Sequence, residues 1–364
     1  MTTQASTSVR RGLLGRLDWG TVLVEGRALI GLLLIMAIFT ALSPNFLAPE
    51  SLILMTRHVA MNALLALGML LVVLNGGIDL SVGSTVGLTG VVAGLMLRGV
   101  TIPGIGVTAY APVWVIIIVA VAVGALVGWV NGLVITRWKV APFIATLGTL
   151  GIAQGLAFVL SGGPPVSIQI PGLGALGNGY VVYWHSTFGL GLFGLPEGVT
   201  GPEMRNVRSF IPLQLLYAGV LTATCAYLLS STQFGRHVYA IGGSAKAALR
   251  AGIPVKRDLF KVYVLSSVMA SLAGLMYVLR YTGGVASSGD ALLLSSIAAI
   301  VIGGASLFGG EGRIGGTLVG AMIIAVIQNG LVLLGIDPFW QYAAVGAVII
   351  LAVLADQAKL RIVR

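Results

Sequence analysis

The chain has 364 residues, of which 57% are hydrophobic and only 9% charged, with 52 glycines and a formal net charge of +10. Water-soluble domains run to roughly a quarter charged residues, so this composition excludes an ordinary soluble enzyme or binding module. The basic excess does not by itself indicate a nucleic-acid partner, because placement along the chain decides what a charge does.

A hydrocarbon core about 30 Å thick takes about 20 apolar residues of helix. Ten runs of about that length follow one another: 28–46, 52–74, 80–97, 113–135, 141–160, 211–229, 259–279, 291–308, 314–334 and 339–354. The expectation is an all-α, polytopic membrane protein of ten transmembrane helices, with one membrane domain over 28–355. Tails at 1–27 and 356–364 flank it, a long connection at 161–210 lies on one side, and a basic loop at 231–258 lies on the other. The long connection has room for a short re-entrant or surface element.

If the N-terminus starts inside the cell, the cytoplasmic segments hold Arg10, Arg11, Arg16, Arg27, Arg137, Lys139, Arg236, Lys246, Arg250, Lys256, Arg257, Lys261, Arg313, Lys359, Arg361 and Arg364, which is 16 of 21 Lys and Arg. Such a bias orients helices and meets anionic lipid. It predicts a multi-pass membrane protein with both termini cytoplasmic and no nucleic-acid partner. Residues 1–27 run into a full-length apolar helix without a small-residue cleavage site, and read as a tail rather than a removable signal. The single Cys225 says nothing about redox compartment.

Two pairs of fragments resemble each other. "NGLVITRWKVAPF" from Asn131 matches "NGLVLLGIDPF" from Asn329, and "NGGIDLS" from Asn75 matches "TGGVASSGDALLLS" from Thr282, each of the latter pair setting a carboxylate, Asp79 or Asp290, before the next helix. The offset is five spans, an odd number, so equivalent segments cross in opposite directions: two inverted-topology halves, as in alternating-access transporters. Small residues four apart at Gly83/Gly87, Gly90/Gly94, Gly124/Gly128, Gly151/Gly155 and Gly316/Gly320 either let helices approach closely or reflect the abundance of glycine.

The basic loop holds "YAIGGSAKAALRAGIPVKRDLF" from Tyr239. Ser244 is placed to cap a helix over 245–251, with Lys246 and Arg250 on one side, Gly252 as the left-handed stop, Ile253 as its apolar follower and Pro254 barring continuation. Two turns are too few to hold in water, where about 12 to 15 residues are needed, so the helix needs something to dock against. Its place in the most basic cytoplasmic loop points to a soluble cytoplasmic partner.

Here the chain resembles a known family. "GRHVYAIGGSAKAALRAGI", "NGGIDLSVGS", "PFIATLGTLGIAQGLAFVLSGG" and "IAAIVIGGASLFGGEGRIGGTLVGA" are similar, in order, to the ribose-type sugar permease subunits of bacterial ATP-binding-cassette (ABC) importers, over about 61–341. The resemblance implies a non-catalytic permease of the bacterial inner membrane for a pentose, hexose or polyol, paired with a second copy or close relative. It also implies an external sugar-binding protein and a separate ATP-binding subunit that uses ATP-Mg, with no cofactor on this chain. The coupling contact would comprise Gly243, Ser244, Lys246, Ala247, Ala248, Arg250, Gly252 and Ile253. The segment 162–210 is longer than the family usually shows, which leaves the outer docking surface and the sugar open; nucleosides or a furanose signalling molecule are alternatives.

Residues on a path are each readable in two ways. Asp79 is either a carboxylate favoured by a helix N-terminus or part of a gate. Arg57 either snorkels to the headgroups or lines the outer mouth, and the neighbouring His58 reads as structural. Asn62, Thr146, Thr149, Gln154, Gln328 and Asn329 offer sugar partners or interhelical hydrogen bonds. On the outer side Glu197, Glu203, Arg205 and Arg208 either dock the binding protein or form a solvated loop.

Other chemistries find little footing. The spaced glycines at Gly172 and Gly189 sit outside any strand-turn-helix unit, no Gly-Lys-Ser/Thr phosphate loop occurs, and no His/Cys cluster has metal spacing. The two aspartates lack the Gly-x-Gly-Asp context of intramembrane proteases. An ion-coupled secondary transporter, also built on inverted repeats, is the alternative from another class; it would need a titratable cluster at mid-membrane.

Overall fold

The computed structural model describes residues 19–101, 108–168, 170, 173–199, 201, 203–337 and 339–362. In chain order the elements are α1 (Trp19–Leu42), α2 (Pro49–Leu74), α3 (Ser81–Arg98), the short strands β1 (Val100–Thr101) and β2 (Thr108–Ala109), α4 (Val113–Arg137), α5 (Pro142–Ser161), β3 (Val166–Ser167) and α6 (Leu173–Asn178). Then follow β4 (Tyr180–His185), β5 (Gly189–Leu192), a 3-10 turn (Glu203–Asn206), β6 (Arg208–Pro212), α7 (Leu213–Ser231), α8 (Gln233–Gly243), α9 (Ala245–Arg250) and α10 (Val255–Tyr281). The chain closes with β7 (Gly283–Gly284), α11 (Asp290–Ile302), α12 (Ile314–Leu333) and α13 (Trp340–Ile362).

Each of the ten apolar runs overlaps a helix, with 28–46 running past the end of α1 at Leu42 and 291–308 past the end of α11 at Ile302. Seven helices, α2, α3, α4, α5, α7, α10 and α12, are long and apolar enough to cross a membrane, and Ala28–Leu42, Asp290–Ile302 and Trp340–Leu351 are shorter apolar helices. Helix α1 extends back to Trp19 and α13 on to Ile362, so both expected tails are partly helical, while residues 1–18 and 363–364 lie outside the described residues. Prolines at the first helical positions of α2 and α5 suit their missing amide hydrogens, and α5 stops at Gly162 in the left-handed conformation, φ 72°.

Helices α2, α3 and α10 form the buried centre, whereas α4, α5 and α7 turn apolar side chains such as Ile118, Leu126, Ile152, Val159, Val220 and Tyr227 outward. An all-round apolar helix with one exposed face is what lipid contact requires. The packing repeats between the halves: α4 lies along α10 as α12 lies along α2, α3 packs on α10 as α11 packs on α2, and α3 meets α5 as α11 meets α13. These pairings are those of a repeat offset by five spans.

The stretch between α10 and α11 does not loop over the bundle. It runs down the glycine face of α3, first as β7 and then as a turn over 286–289, with Gly284 against Gly94, Ala286 against Gly87 and Gly289 against Gly83. From Gly94 to Gly83 is roughly 16 Å of helix at about 1.5 Å per residue, so α11 starts deep inside the bundle beside the start of α3. The α4 glycines Gly124 and Gly128 admit Ser271, Ser267 and Tyr263 of α10, and Gly316 and Gly320 of α12 admit Gly303 and Ala299. The pair Gly151/Gly155 differs: a side chain at either would meet nothing within 4 Å, because that face of α5 turns out of the single chain.

The connection 161–210 adds a β component to a fold expected to be all-α. Helix α6 is followed by a three-stranded antiparallel sheet in the order β5-β4-β6, with Val182 opposite both Leu192 and Phe210. Strands this short, one of them Gly-Leu-Gly-Leu, carry no periodic signal in sequence. Strand β3 pairs with β7, tying this connection to the one after α10.

Replacing Gly87 with Ala places a methyl on the Ala286 carbonyl and is expected to cost about 1–3 kcal/mol, lowering the thermal midpoint in detergent. Gly219→Ala on α7, with nothing within 4 Å to strike, is expected to leave the midpoint within error. Equal effects of the two substitutions would contradict the packing of residues 284–289 on α3.

Candidate functional site

Helix α9 is built as a small closed unit. Ser244 adopts an extended backbone and its hydroxyl accepts from the Ala247 amide at 3.2 Å. At the other end Gly252, φ 80°, donates to Leu249 O at 3.1 Å and Ile253 donates to Ala248 O at 3.0 Å, the two bonds of a Schellman stop. Ala248 is 4% exposed and faces the body, Leu249 is 66% exposed, and Lys246, Ala247 and Arg250 are exposed with it. Of the residues expected at a coupling contact, Ala248 thus seats the helix, and Leu249, absent from that set, supplies the outward apolar surface. Gly243 and Gly252 are also exposed, and Ile253 is half-buried.

The seat is helix α8. The Thr232 hydroxyl caps it by accepting from the Gly235 amide at 3.3 Å, and Gly235, Val238 and Ile241 turn inward. Gly242 abuts the Leu74 carbonyl at the end of α2 and the backbone of Gly310, and Gly310 N donates to that same carbonyl at 2.9 Å. The Tyr239 hydroxyl donates to Gly312 O at 2.9 Å; burial pushes the phenol above its ordinary range, partly offset by Arg313, and keeps the proton on the donor. His237 Nδ1 lies 2.6 Å from Asp258 Oδ2 at the start of α10, and Asp258 is also approached by Arg257 and Lys261 at 3.7 and 3.8 Å. Helix α8, and α9 seated on it, is therefore pinned to three junctions: the end of α2, the turn before α12 and the first turn of α10.

Next to those junctions runs a chain of buried hydrogen bonds. Asp79, fully buried, accepts from Ser81 N at 3.0 Å and Ser81 Oγ at 2.6 Å through one oxygen, and from Ser266 Oγ at 3.0 Å through the other. Ser81 Oγ in turn accepts from Asn131 Nδ2 at 2.8 Å, and Asn131 Oδ1 accepts from Thr149 Oγ1 at 2.7 Å. One carboxylate thereby links α10, α3, α4 and α5. Thr146 adds a contact from α5 to Ile78 O at 3.3 Å.

A second set joins the other half. Asn62 Nδ2 donates to Gln328 Oε1 at 3.2 Å, Gln328 Nε2 donates to Ser295 Oγ at 3.2 Å, and Asn329 Nδ2 donates to Ser51 Oγ at 2.8 Å. Asn62, Thr146, Thr149 and Asn329 are buried between helices of this single chain. Gln154 differs: its amide nitrogen reaches both oxygens of the exposed Asp290 at 3.4 Å, on the open side of α5. Arg57 reaches the end of α6, donating to Asn178 Oδ1 at 3.2 Å and Asn178 O at 3.0 Å with its guanidinium over the Tyr180 ring. Glu197, Arg205 and Arg208 are exposed on the sheet-bearing end, and Glu203 is half-buried in the 3-10 turn there.

Sequence reading singled out Asp79 and Thr149 but not Ser81, Asn131 or Ser266 as their partners, nor Asp290 as the partner of Gln154. Asp290 carried a signal, its place opposite Asp79 in the repeat; serines in apolar helices carried none.

Among the described residues no group of three or more His, Cys, Asp or Glu could hold a metal. What the geometry provides is a hydrogen-bonded polar scaffold inside a membrane bundle, with a short exposed helix, α9, seated at one end of it on α8. The family described as "Branched-chain amino acid transport system / permease component" matches residues 51–353, and the chain belongs to it. It is 39% identical to the ribose import permease protein RbsC of Bacillus subtilis (strain 168), over 94% of this chain and 96% of that one. It is 38% identical to RbsC of Escherichia coli (strain K12), over 93% and 95%, and 33% identical to the galactose/methyl galactoside import permease protein MglC of the same strain, over 93% and 96%. No solved structure matches. The protein is thus a non-catalytic, multi-pass permease subunit of the inner membrane.

Asp79→Ala strands three donors in an apolar interior and is expected to cost on the order of 3 kcal/mol, against about 1 kcal/mol for Asn131→Ala. Because Ser81 bridges the two, the double variant is expected to lose less than the sum, measured by thermal unfolding in detergent. Strict additivity would contradict a continuous network.

Proposed function

We propose that the chain is the membrane permease of an ABC importer for a pentose, hexose or polyol, with its α8–α9 end in the cytoplasm under an ATP-binding subunit. The observation that carries this is α9 itself: a helix too short to persist alone, capped at both ends, seated by Ala248 and presenting Lys246, Leu249 and Arg250 outward. The full-length likeness to ribose and galactose permeases favours a sugar over the amino acids in the family's description.

Charge supports the orientation. Arg137, Lys139, Arg236, Lys246, Arg250, Lys256, Arg257, Lys261 and Arg313 belong to the α8–α9 end, against Arg57, Arg98, Arg205, Arg208 and Arg280 at the other. The sheet-bearing end then faces an external binding protein, with Glu197, Glu203, Arg205 and Arg208 available to dock its lobes.

The path is assigned to the open side of α5. Gln154 sits twelve residues into α5 from Pro142, roughly 18 Å along the helix, and holds Asp290 at that depth. A carboxylate exposed there needs water or protein around it rather than lipid, which a second copy across the Gly151/Gly155 face would provide. In this reading Asn62, Asp79, Thr146, Thr149, Gln328 and Asn329 hold helices in place, and Arg57 fixes the outer cap.

The test is uptake into proteoliposomes containing permease, ATP-binding subunit and binding protein. Leu249→Glu is expected to lower ATP-driven uptake about tenfold or more and to release the ATP-binding subunit, with an unchanged thermal midpoint, since losing one buried Leu contact is worth roughly 1.5–3 kcal/mol. Wild-type uptake that ignores ATP and collapses with the proton gradient would instead favour a secondary transporter.

A further inference from the structure

On the sheet-bearing half of the bundle α4 packs along α10 and α7 along α2, and α4 and α7 do not pack along each other. Between them lies a cleft of about 490 Å³, a volume in the range of roughly 300–1,000 Å³ that ligand sites occupy. Leu275 and Val278 of α10 form its floor, Ile117 and Val220 stand on its walls, and Leu176 of α6 closes it towards the sheet, where the Tyr217 hydroxyl turns to the Leu176 carbonyl at 3.5 Å. Tyr217 is the one lining side chain with a polar atom, so water has almost nothing to bond to inside.

The depth and the mouth identify what fits. The lining residues of α4, α7 and α10 all fall within nine residues, roughly 14 Å, of those helices' ends at Val113, Leu213 and Tyr281, which is the thickness of one leaflet's hydrocarbon. The floor is buried, Leu275 8% and Val278 0% exposed, while the walls are open, Ile117 42% and Val220 59%, and continue into the lipid-facing surfaces of α4 and α7. We propose that this cleft binds one acyl chain of a phospholipid from the leaflet on the sheet-bearing side, inserted sideways between α4 and α7 until it contacts α10. The proposal needs only that these helices span a membrane; it does not depend on what is transported. Chain methylenes there replace contacts that α4 and α7 do not make with each other, so the lipid acts as a wedge of the bundle.

The test uses full-length protein in vesicles of phosphatidylethanolamine and phosphatidylglycerol doped with a phospholipid that carries a diazirine at mid-chain. After photolysis, peptide mapping is expected to find label on Leu272–Leu279, which annular lipid cannot reach behind α4 and α7. In Ile117→Trp/Val220→Trp that label is expected to fall roughly tenfold, the effect of excluding about two methylene groups from burial, while label on the exposed Leu126 of α4 and Tyr227 of α7 stays unchanged and serves as the folding control. Label confined to exposed positions in the wild type would overturn the proposal. So would undiminished α10 label in the double variant, or a disulfide between two copies through Val220→Cys in place of lipid labelling.

Discussion

A carboxylate inside a membrane bundle must be answered by donors, and the way Asp79 is answered organises this protein. Its two oxygens divide between the start of α3 and the middle of α10, and through Ser81 and Asn131 the same network reaches α4 and α5. Apolar packing among lipid-like side chains gives little preference for one helix register over another. Hydrogen bonds that cannot be left unmade do give one, and here they fix four helices around one point. The stretch 284–289 can then lie against α3, because the α3 glycines face it at a defined height.

From that point the path to α9 is short. Asp79 follows the end of α2, where Leu74 O holds Gly310 and abuts Gly242 of α8; Ser266 lies two turns beyond Asp258, which holds His237 of α8. In the proposed coupling, a force on α9 would pass through α8 and its short backbone and charged contacts to the ends of α2, α10 and α12. The α3 and α11 starts meet beside Gly83 and Gly289, so displacement of either half is felt at the junction of both. Asp290, at the start of α11, places this junction next to Gln154 on the open side of α5. In the proposed mechanism, that juxtaposition is the route by which a lever at α9 would open or close a path.

Much of this was legible in sequence where the governing physics is local. Apolar runs mark helices because lipid leaves the backbone no other partner, and Ser244, Gly252 and Pro254 mark the limits of α9 because capping and left-handed turns are properties of single residues. The rest depends on distant pairs. Ser266 stands 187 positions from Asp79, and nothing in an apolar helix distinguishes a serine with a partner from one without. The glycine pairs were equally visible at 83/87 and 151/155, yet only the former packs within the chain, since helix geometry fixes which residues share a face and not what that face meets. The sheet β5-β4-β6 escaped because strands of four to six residues with mixed burial lack an alternating pattern.

The most direct test of α9 as the driven element is a pulsed electron spin distance between labels at Lys246→Cys and Val159→Cys, on a Cys225→Ser background, in the assembled complex. The account predicts that adding ATP under conditions that trap the closed nucleotide-binding state shifts this distance between two discrete populations, and that Leu249→Glu abolishes the shift. A single distance unaffected by nucleotide, in a complex that still imports, would contradict it.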